Sequence, residues 1–304
     1  MLRALALALA LGAAVPAWAG GAPAVVTTST DLKALVEAVG GDRVAVESLA
    51  PALHDPHAVD VKPGQLAKLK TAVLLVRIGL DHEPWLARVL RAVNDPRFRP
   101  GGPHDLDVSK GVELLQTEIA RVRSERGVHV HGFGNPHYWL DPANARPITQ
   151  AILEALGRLA PAERQAFTAN RERFLARLDA GLARWTAALA PYRGARVVVV
   201  HDSWPYFARR FGLEVVAAVE PSPGVSPSPA SLAALTARMR ESGVRLLIAE
   251  PSSSASLVTQ VAARGGARAV TLVPSVGGDP GARDYLALFD VNVRRLAEAL
   301  AAAR

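Results

Sequence analysis

PAERQAFTANRERFLARLDAGLARWTAALAP, Pro161 to Pro191, is a run of helical pattern with a proline near each end. At about 1.5 Å per residue it predicts a rod roughly 45 Å long, more than one small domain needs. Such a rod can serve as a spacer between two lobes. Its arginines are interleaved with Glu and Asp, which is the pattern of a solvated helix face.

On both sides of the rod, strand-like and helix-like segments alternate. Before it, AVVTTS is β-branched and apolar, and TDLKALVEAVGG has helical spacing, a Thr30 or Asp31 cap and a glycine stop. RVAVESLAP, KPGQLAKLKTA, AVLLVRIG and HEPWLARVLRAV then read as strand, helix, buried strand and helix. After it, RVVVVHDS, EVVAAVEP, VRLLIAEP and RAVTLVPS read as strands. They are separated by the helical segments SWPYFARRFG, SPASLAALTARMRESG and SASLVTQVAARGG, and ARDYLALFDVNVRRLAEALAAA closes the chain as a helix. Alternation of this kind predicts an α/β fold with parallel sheets.

The opening MLRALALALALGAAVPAWAGG has a basic residue, a short apolar run and a small-x-small site at Ala17 to Ala19. It reads as a secretory signal over residues 1–19, with an apolar run too short to span a bilayer comfortably. The sequence has no cysteine, so it offers no disulfide, no thiolate ligand and no lipid-modified N-terminal cysteine. Any metal must be held by His, Asp, Glu or water, and the exported chain is expected free in a periplasm. The formal net charge of +7 is spread along helix-like segments instead of being gathered into a patch, which argues against a nucleic-acid partner.

Three histidines stand at predicted strand-to-helix junctions, the binding edge of open α/β sheets. His57 follows an Asp-Pro pair in HDPHAVDVKP. His137 follows an Asn-Pro pair in GNPHYWLDP, with Tyr138 and Trp139 as an apolar wall and Asp141 as a helix cap. His201 ends the buried strand RVVVVHDSW. Asx-Pro turns are stiff, because the Asx side chain bonds the backbone two residues on and proline fixes φ. Metal-binding imidazoles need rings fixed in this way. Three imidazoles suit zinc well and manganese less well. The Ser and Asp beside His201 do not make a hydrolase triad, whose members converge from separate segments, and no G-x-S-x-G or H-E-x-x-H occurs.

With these residues in place, the chain resembles the periplasmic zinc- or manganese-binding receptors of ABC importers, the ZnuA/TroA-like family. The resemblance rests on DPHAVDVKPGQLAKLKTAVLLVRIGLDHEPWL, NPHYWLDPANA, HDSWPYFARRFGL, VRLLIAEPS and DYLALFDVNVRRLAEAL, in that order. It implies two parallel-sheet α/β lobes joined by a single long rigid helix, with the metal site in the inter-lobe cleft. The boundaries become 20–158 for the first lobe, 159–191 for the linking helix and 192–304 for the second. Carried over position by position, the ligands fall on His57 and His137 from the first lobe and His201 from the second.

The chain departs from the pattern at the fourth ligand. Relatives often place an Asp in a D-x-hydrophobic-Gly turn after the last strand, and here the turn reads PSVG with Pro274 in that place. Three readings stand side by side: three histidines plus water, a substitute carboxylate at Glu250 or Asp279, or a cargo other than a metal. Loss of a hard oxygen donor favours Zn(II) as cargo over Mn(II) or Fe(II). His129 and His131 form an H-x-H pair suited to an accessory metal contact, while His54 and His82 read as neighbours of the site. The expected function is a monomeric, non-enzymatic receptor that binds Zn(II) and hands it to an ABC permease, with affinity falling below about pH 6. A periplasmic zinc hydrolase and a metal-binding adhesin or metallochaperone on the same fold are the alternatives.

Overall fold

The strands of each sheet are short, and the apolar runs of the central strands are spent on burial. The computed structural model describes residues 22–53, 57, 59–117, 134–220 and 225–303. The expected signal segment, His54, His129 and His131 lie outside those residues.

The first sheet has the order β2 (Ala45–Ser48), β1 (Ala24–Thr27), β3 (Leu74–Arg77), β4 (Asp105–Asp107), with every pair parallel. The second runs β6 (Glu214–Ala218), β5 (Arg196–Val199), β7 (Leu246–Ala249), β8 (Arg268–Thr271), again all parallel and in the same relative order. The central strands carry the Val and Leu runs and are buried on both faces, as parallel sheets require. The strand β4, Asp-Leu-Asp, has no apolar signature of its own. It is held by Arg77 on β3, whose guanidinium bonds Asp105 at 2.8 and 3.1 Å and pairs with Asp107 at 3.0 Å.

The connecting helices follow the sequence reading closely. In the first lobe they are α1 (Thr30–Gly40), α2 (Pro63–Thr71), α3 (Leu86–Val93) and α4 (Ala145–Leu159). In the second they are α6 (Pro205–Phe211), α7 (Pro229–Glu241), α8 (Ala255–Gly265) and α9 (Tyr285–Ala302). Two caps differ from expectation. Ser29, not Thr30 or Asp31, caps α1 by accepting from the Leu32 amide at 3.1 Å. Asp141 caps the 3-10 turn Pro142–Asn144 that precedes α4, by accepting from the Ala143 amide at 3.0 Å.

The rod is α5, Arg164–Leu189, flanked by 3-10 turns at Pro161–Glu163 and Ala190–Tyr192. It buries a single stripe: Phe167, Phe174, Leu178, Gly181, Trp185 and Leu189. Trp185 lies over Gly181, where a Cβ would stand 2.7 Å from the ring, and its indole N–H donates to Asp290 at 2.7 Å. One face of α5 thus packs on α1 and α4 from the first lobe and on α9 from the second. In consequence one apolar cluster runs from Val25 through the rod to Leu300. Two smaller clusters lie under the outer helices, one beneath α2 and α3 and one beneath α7 and α8. No helix among the described residues is long and apolar enough to cross a membrane.

The lobes are also stitched by hydrogen bonds near the cleft. Asp31, fully buried, accepts from the Val276 amide of the opposite lobe at 2.9 Å. Burial pushes its carboxyl up to about 7, against the opposing pull of the Val276 amide and of Ser275. An acid whose folded-state value is raised binds protons in the folded chain before it does in the unfolded one, so its contribution to stability falls as pH rises through that value. With chelator present, the melting temperature is expected to gain from this group as pH drops from about 7 to about 4, the window set by the raised carboxyl and its ordinary value. Asp31→Asn, which keeps an acceptor for Val276, should flatten that rise; thermal melts across the range would show an unchanged slope if Asp31 has no such role.

Candidate metal centre

The carboxyl ends of both sheets open on one cleft, and three histidines meet there. His57 lies in the turn after β2, His137 begins the 3-10 turn Tyr138–Leu140 beyond β4, and His201 lies just past β5. One nitrogen from each falls within 4.8 Å of the other two. Their ring centroids stand 5.3 to 5.7 Å apart.

Each ring is held through its Nδ1. His57 Nδ1 bonds the His82 carbonyl at 3.0 Å, His137 Nδ1 bonds Asn135 Oδ1 at 3.0 Å, and His201 Nδ1 bonds Glu220 Oε2 at 3.2 Å. A carbonyl, a carboxamide oxygen and a carboxylate only accept, so Nδ1 carries the proton in all three and Nε2 keeps its lone pair. Three lone pairs on three fixed rings form a ready face for a cation that takes nitrogen donors.

The Asn-Pro turn works as its sequence implies. Asn135 Oδ1 accepts the His137 amide at 2.9 Å as well as the ring nitrogen. Its Nδ2 donates to the Asp202 carbonyl at 2.8 Å and to Gln116 Oε1 at 3.1 Å, and its own carbonyl accepts from the Tyr206 hydroxyl at 2.8 Å. Behind it, Arg210 grips Asp141 through two bonds of 2.7 and 2.8 Å. Trp139 forms the wall, with its ring 5.2 Å from that of His137 and its N–H donating to the Pro274 carbonyl at 2.9 Å. Tyr138 does not join the wall; its hydroxyl donates to the Ile78 carbonyl at 2.6 Å and it packs into the first lobe.

The acids around the cleft do not close the converging group. Glu250 is buried beside His201, and none of its atoms joins the three-nitrogen cluster. Burial raises its carboxyl, opposed by His201, Ser203 and Trp204. Asp279 is turned to the Gly281 amide at 2.8 Å and Arg295 at 2.6 Å, which hold its carboxyl below the usual range. For His201, burial alone would lower the basicity of the ring, but the Glu220 bond and the charges of Glu250, Glu220 and Asp202 outweigh it and raise the ring above its ordinary value. His82, read as a neighbour, is buried with its ring 4.6 Å from that of His57 and 5.4 Å from that of His137.

Two orienting residues escape the sequence reading. Glu220 ends the strand EVVAAVE, next to the strand that carries His201, and its strand-end position is the signal that could have found it. Asn135 is visible in the sequence as the first residue of a stiff turn, but its bond to the His137 ring is not.

A family model described as zinc-uptake complex component A, periplasmic (ZnuA), matches residues 25–299. The chain is 31% identical to the high-affinity zinc uptake system protein ZnuA of Paracoccus denitrificans, over 98% of each chain. It is similar to a crystal structure of a zinc-bound ZnuA deletion mutant, with a TM-score of 0.76 and 27% identity over 91% of this chain and 98% of that one. It is likewise similar to the Mn2+ complex of the solute-binding protein FpvC from Pseudomonas aeruginosa, with a TM-score of 0.79 and 26% identity over 93% of this chain and 99% of that one.

If Asn135 fixes the ring of His137, Asn135→Ala should weaken zinc binding by about 10- to 100-fold, the range for loss of an outer-sphere partner. Competition against a chromophoric chelator reads the change, with circular dichroism as the check on folding. An affinity equal to wild type in a folded variant would remove Asn135 from the site.

Proposed function

The chain belongs to the ZnuA family of periplasmic zinc-uptake components, and we propose that it captures Zn(II) as cargo and passes it to an ABC permease at the inner membrane. The observation that carries this reading is the convergence of three nitrogens, one each from His57, His137 and His201, within 4.8 Å. The donor set fits zinc: neutral imidazoles, no thiolate, and no side-chain oxygen from Pro274. Mn(II) and Fe(II), which favour harder oxygen donors, are the weaker cargoes. Glu250 is the carboxylate available to offset the ion's charge, from its place beside His201. His129 and His131 would add an accessory contact.

The working step is capture and release, with no bond made or broken in a substrate. His57 and His137 stand on the first lobe and His201 on the second, so a bound ion ties the two together. Moving His201 away removes one donor of three and loosens the ion for transfer. The long helix α5 and the shared core keep that movement small. We assign residues 20–158 and 192–304 to the two lobes and 159–191 to the link. Residues 1–19 are the leader that takes a free monomer to the periplasm.

Titration of the mature protein with Zn(II), Mn(II) and Fe(II) should give the tightest binding to Zn(II). His57→Ala, His137→Ala and His201→Ala should each weaken it by more than the 10- to 100-fold of an outer-sphere change. Zinc affinity undiminished in any one of the three would overturn the ligand assignment.

A proton on His201 competes with the ion. Because that ring is raised above its ordinary value, affinity should begin to fall at a higher pH than for an unperturbed imidazole near 6.5. Glu220→Gln removes the main influence that raises it, so the acid edge should move to lower pH. Zinc titrations between pH 5 and about 8 test the shift, and an edge that stays in place speaks against the Glu220–His201 pair.

A further inference from the structure

We propose that His82 is the fourth zinc donor, closing a four-histidine shell on the side of the cleft where Pro274 offers no side-chain ligand. The proposal rests on the three-histidine reading and extends it. Pro274 has no donor in its side chain, and its carbonyl is engaged by the Trp139 indole at 2.9 Å. Asp279 is committed to Arg295 and to the Gly281 amide, and Glu250 lies among His201, Ser203 and Trp204.

His82 packs directly against the rings of His57 and His137. It is 1% exposed, and its ring stands edge-on to three others: His57 at 4.6 Å, His137 at 5.4 Å and Trp139 at 5.1 Å. Trp139 thus joins His82 to the Pro274 turn, with the ring on one and the N–H on the other. His57 Nδ1 bonds the His82 carbonyl, so the two residues are fixed to each other.

The backbone that delivers His82 is unusual. Gly79, Leu80 and Asp81 all have positive φ, at 78°, 56° and 57°. Two successive non-glycine residues in that region are strained, and such strain persists where the surroundings over-determine it. Here the surroundings are Glu83, whose buried carboxylate accepts the Ile78 amide at 2.7 Å, the Gly79 amide at 3.1 Å and the Thr28 hydroxyl at 2.5 Å. The turn is pinned on one side by Glu83 and presents His82 to the cleft on the other.

No His82 nitrogen belongs to the group within 4.8 Å, so entry into the shell takes a rotation of the side chain. The result is four neutral nitrogens around a divalent ion, with Glu250 and Glu220 supplying negative charge from behind His201. Such a shell discriminates against manganese, which prefers oxygen.

Zinc K-edge X-ray absorption on the zinc-loaded mature protein tests this directly. Four imidazoles and no oxygen are expected in wild type, and three imidazoles plus an oxygen in His82→Gln and His82→Phe. Zinc affinity in these variants should fall by more than the 10- to 100-fold of an outer-sphere change, with a smaller change for Mn(II). Three imidazoles plus an oxygen in wild type, or four retained in either folded variant, would overturn the proposal. Should both variants fail to fold, the wild-type count alone decides. His201→Ala, measured alongside, separates the two readings. Unchanged zinc binding there strikes at the three-histidine site itself, whereas loss there with a wild-type count of three strikes only at His82.

Discussion

Asn135 is the residue on which the site's geometry turns. Its carboxamide oxygen fixes the ring of His137, its amide nitrogen reaches across to the Asp202 carbonyl beside His201, and its backbone carbonyl takes the Tyr206 hydroxyl. One buried side chain therefore fixes the His137 ring on the first lobe and ties it to the segment that carries His201 on the second. A buried amide with all its bonds made is worth far more than the sum of weak surface contacts, because each unmade bond would leave a polar group stranded in the core. Other bonds across the cleft hold the same spacing. Trp139 donates to the Pro274 carbonyl, Tyr285 donates to the Trp139 carbonyl, and Arg210 donates to Asp141.

The arrangement trades flexibility for a preset shell. Each imidazole is oriented by a different kind of acceptor, a backbone carbonyl, a carboxamide and a carboxylate, and only the last is charged. A charged acceptor makes its ring the more basic one, so the nitrogen it favours for a cation is also the one most sensitive to protons. That nitrogen is on His201, the sole member of the trio from the second lobe.

Much of the fold is legible in the sequence because its signals are local. Valine runs, proline and glycine punctuation and helical spacing place the strands and helices, and the length of the Pro161–Pro191 segment announces the rod. The strand β4 escapes because Asp-Leu-Asp becomes a strand only when Arg77 on its neighbour pairs with both acids. Asp31 reads as a cap, since an acid at a helix start ordinarily is one; the opposing lobe that buries it cannot be seen from the helix. In the site, the residues at strand ends stand out one by one. Convergence is what a single chain of letters hides: Glu220 behind His201 and His82 against His57 are contacts between segments far apart in the chain.

The apolar stripe of α5 has one more consequence. Because the same helix face fills the interior of both halves, neither half owns a complete core. Heat or denaturant that strips one half from the rod also uncovers the other, so the molecule should lose its structure in one cooperative step despite having two sheets. A half-folded species that still held metal would then be scarcely populated, and the cell would meet this receptor either whole or as an open chain ready for proteolysis.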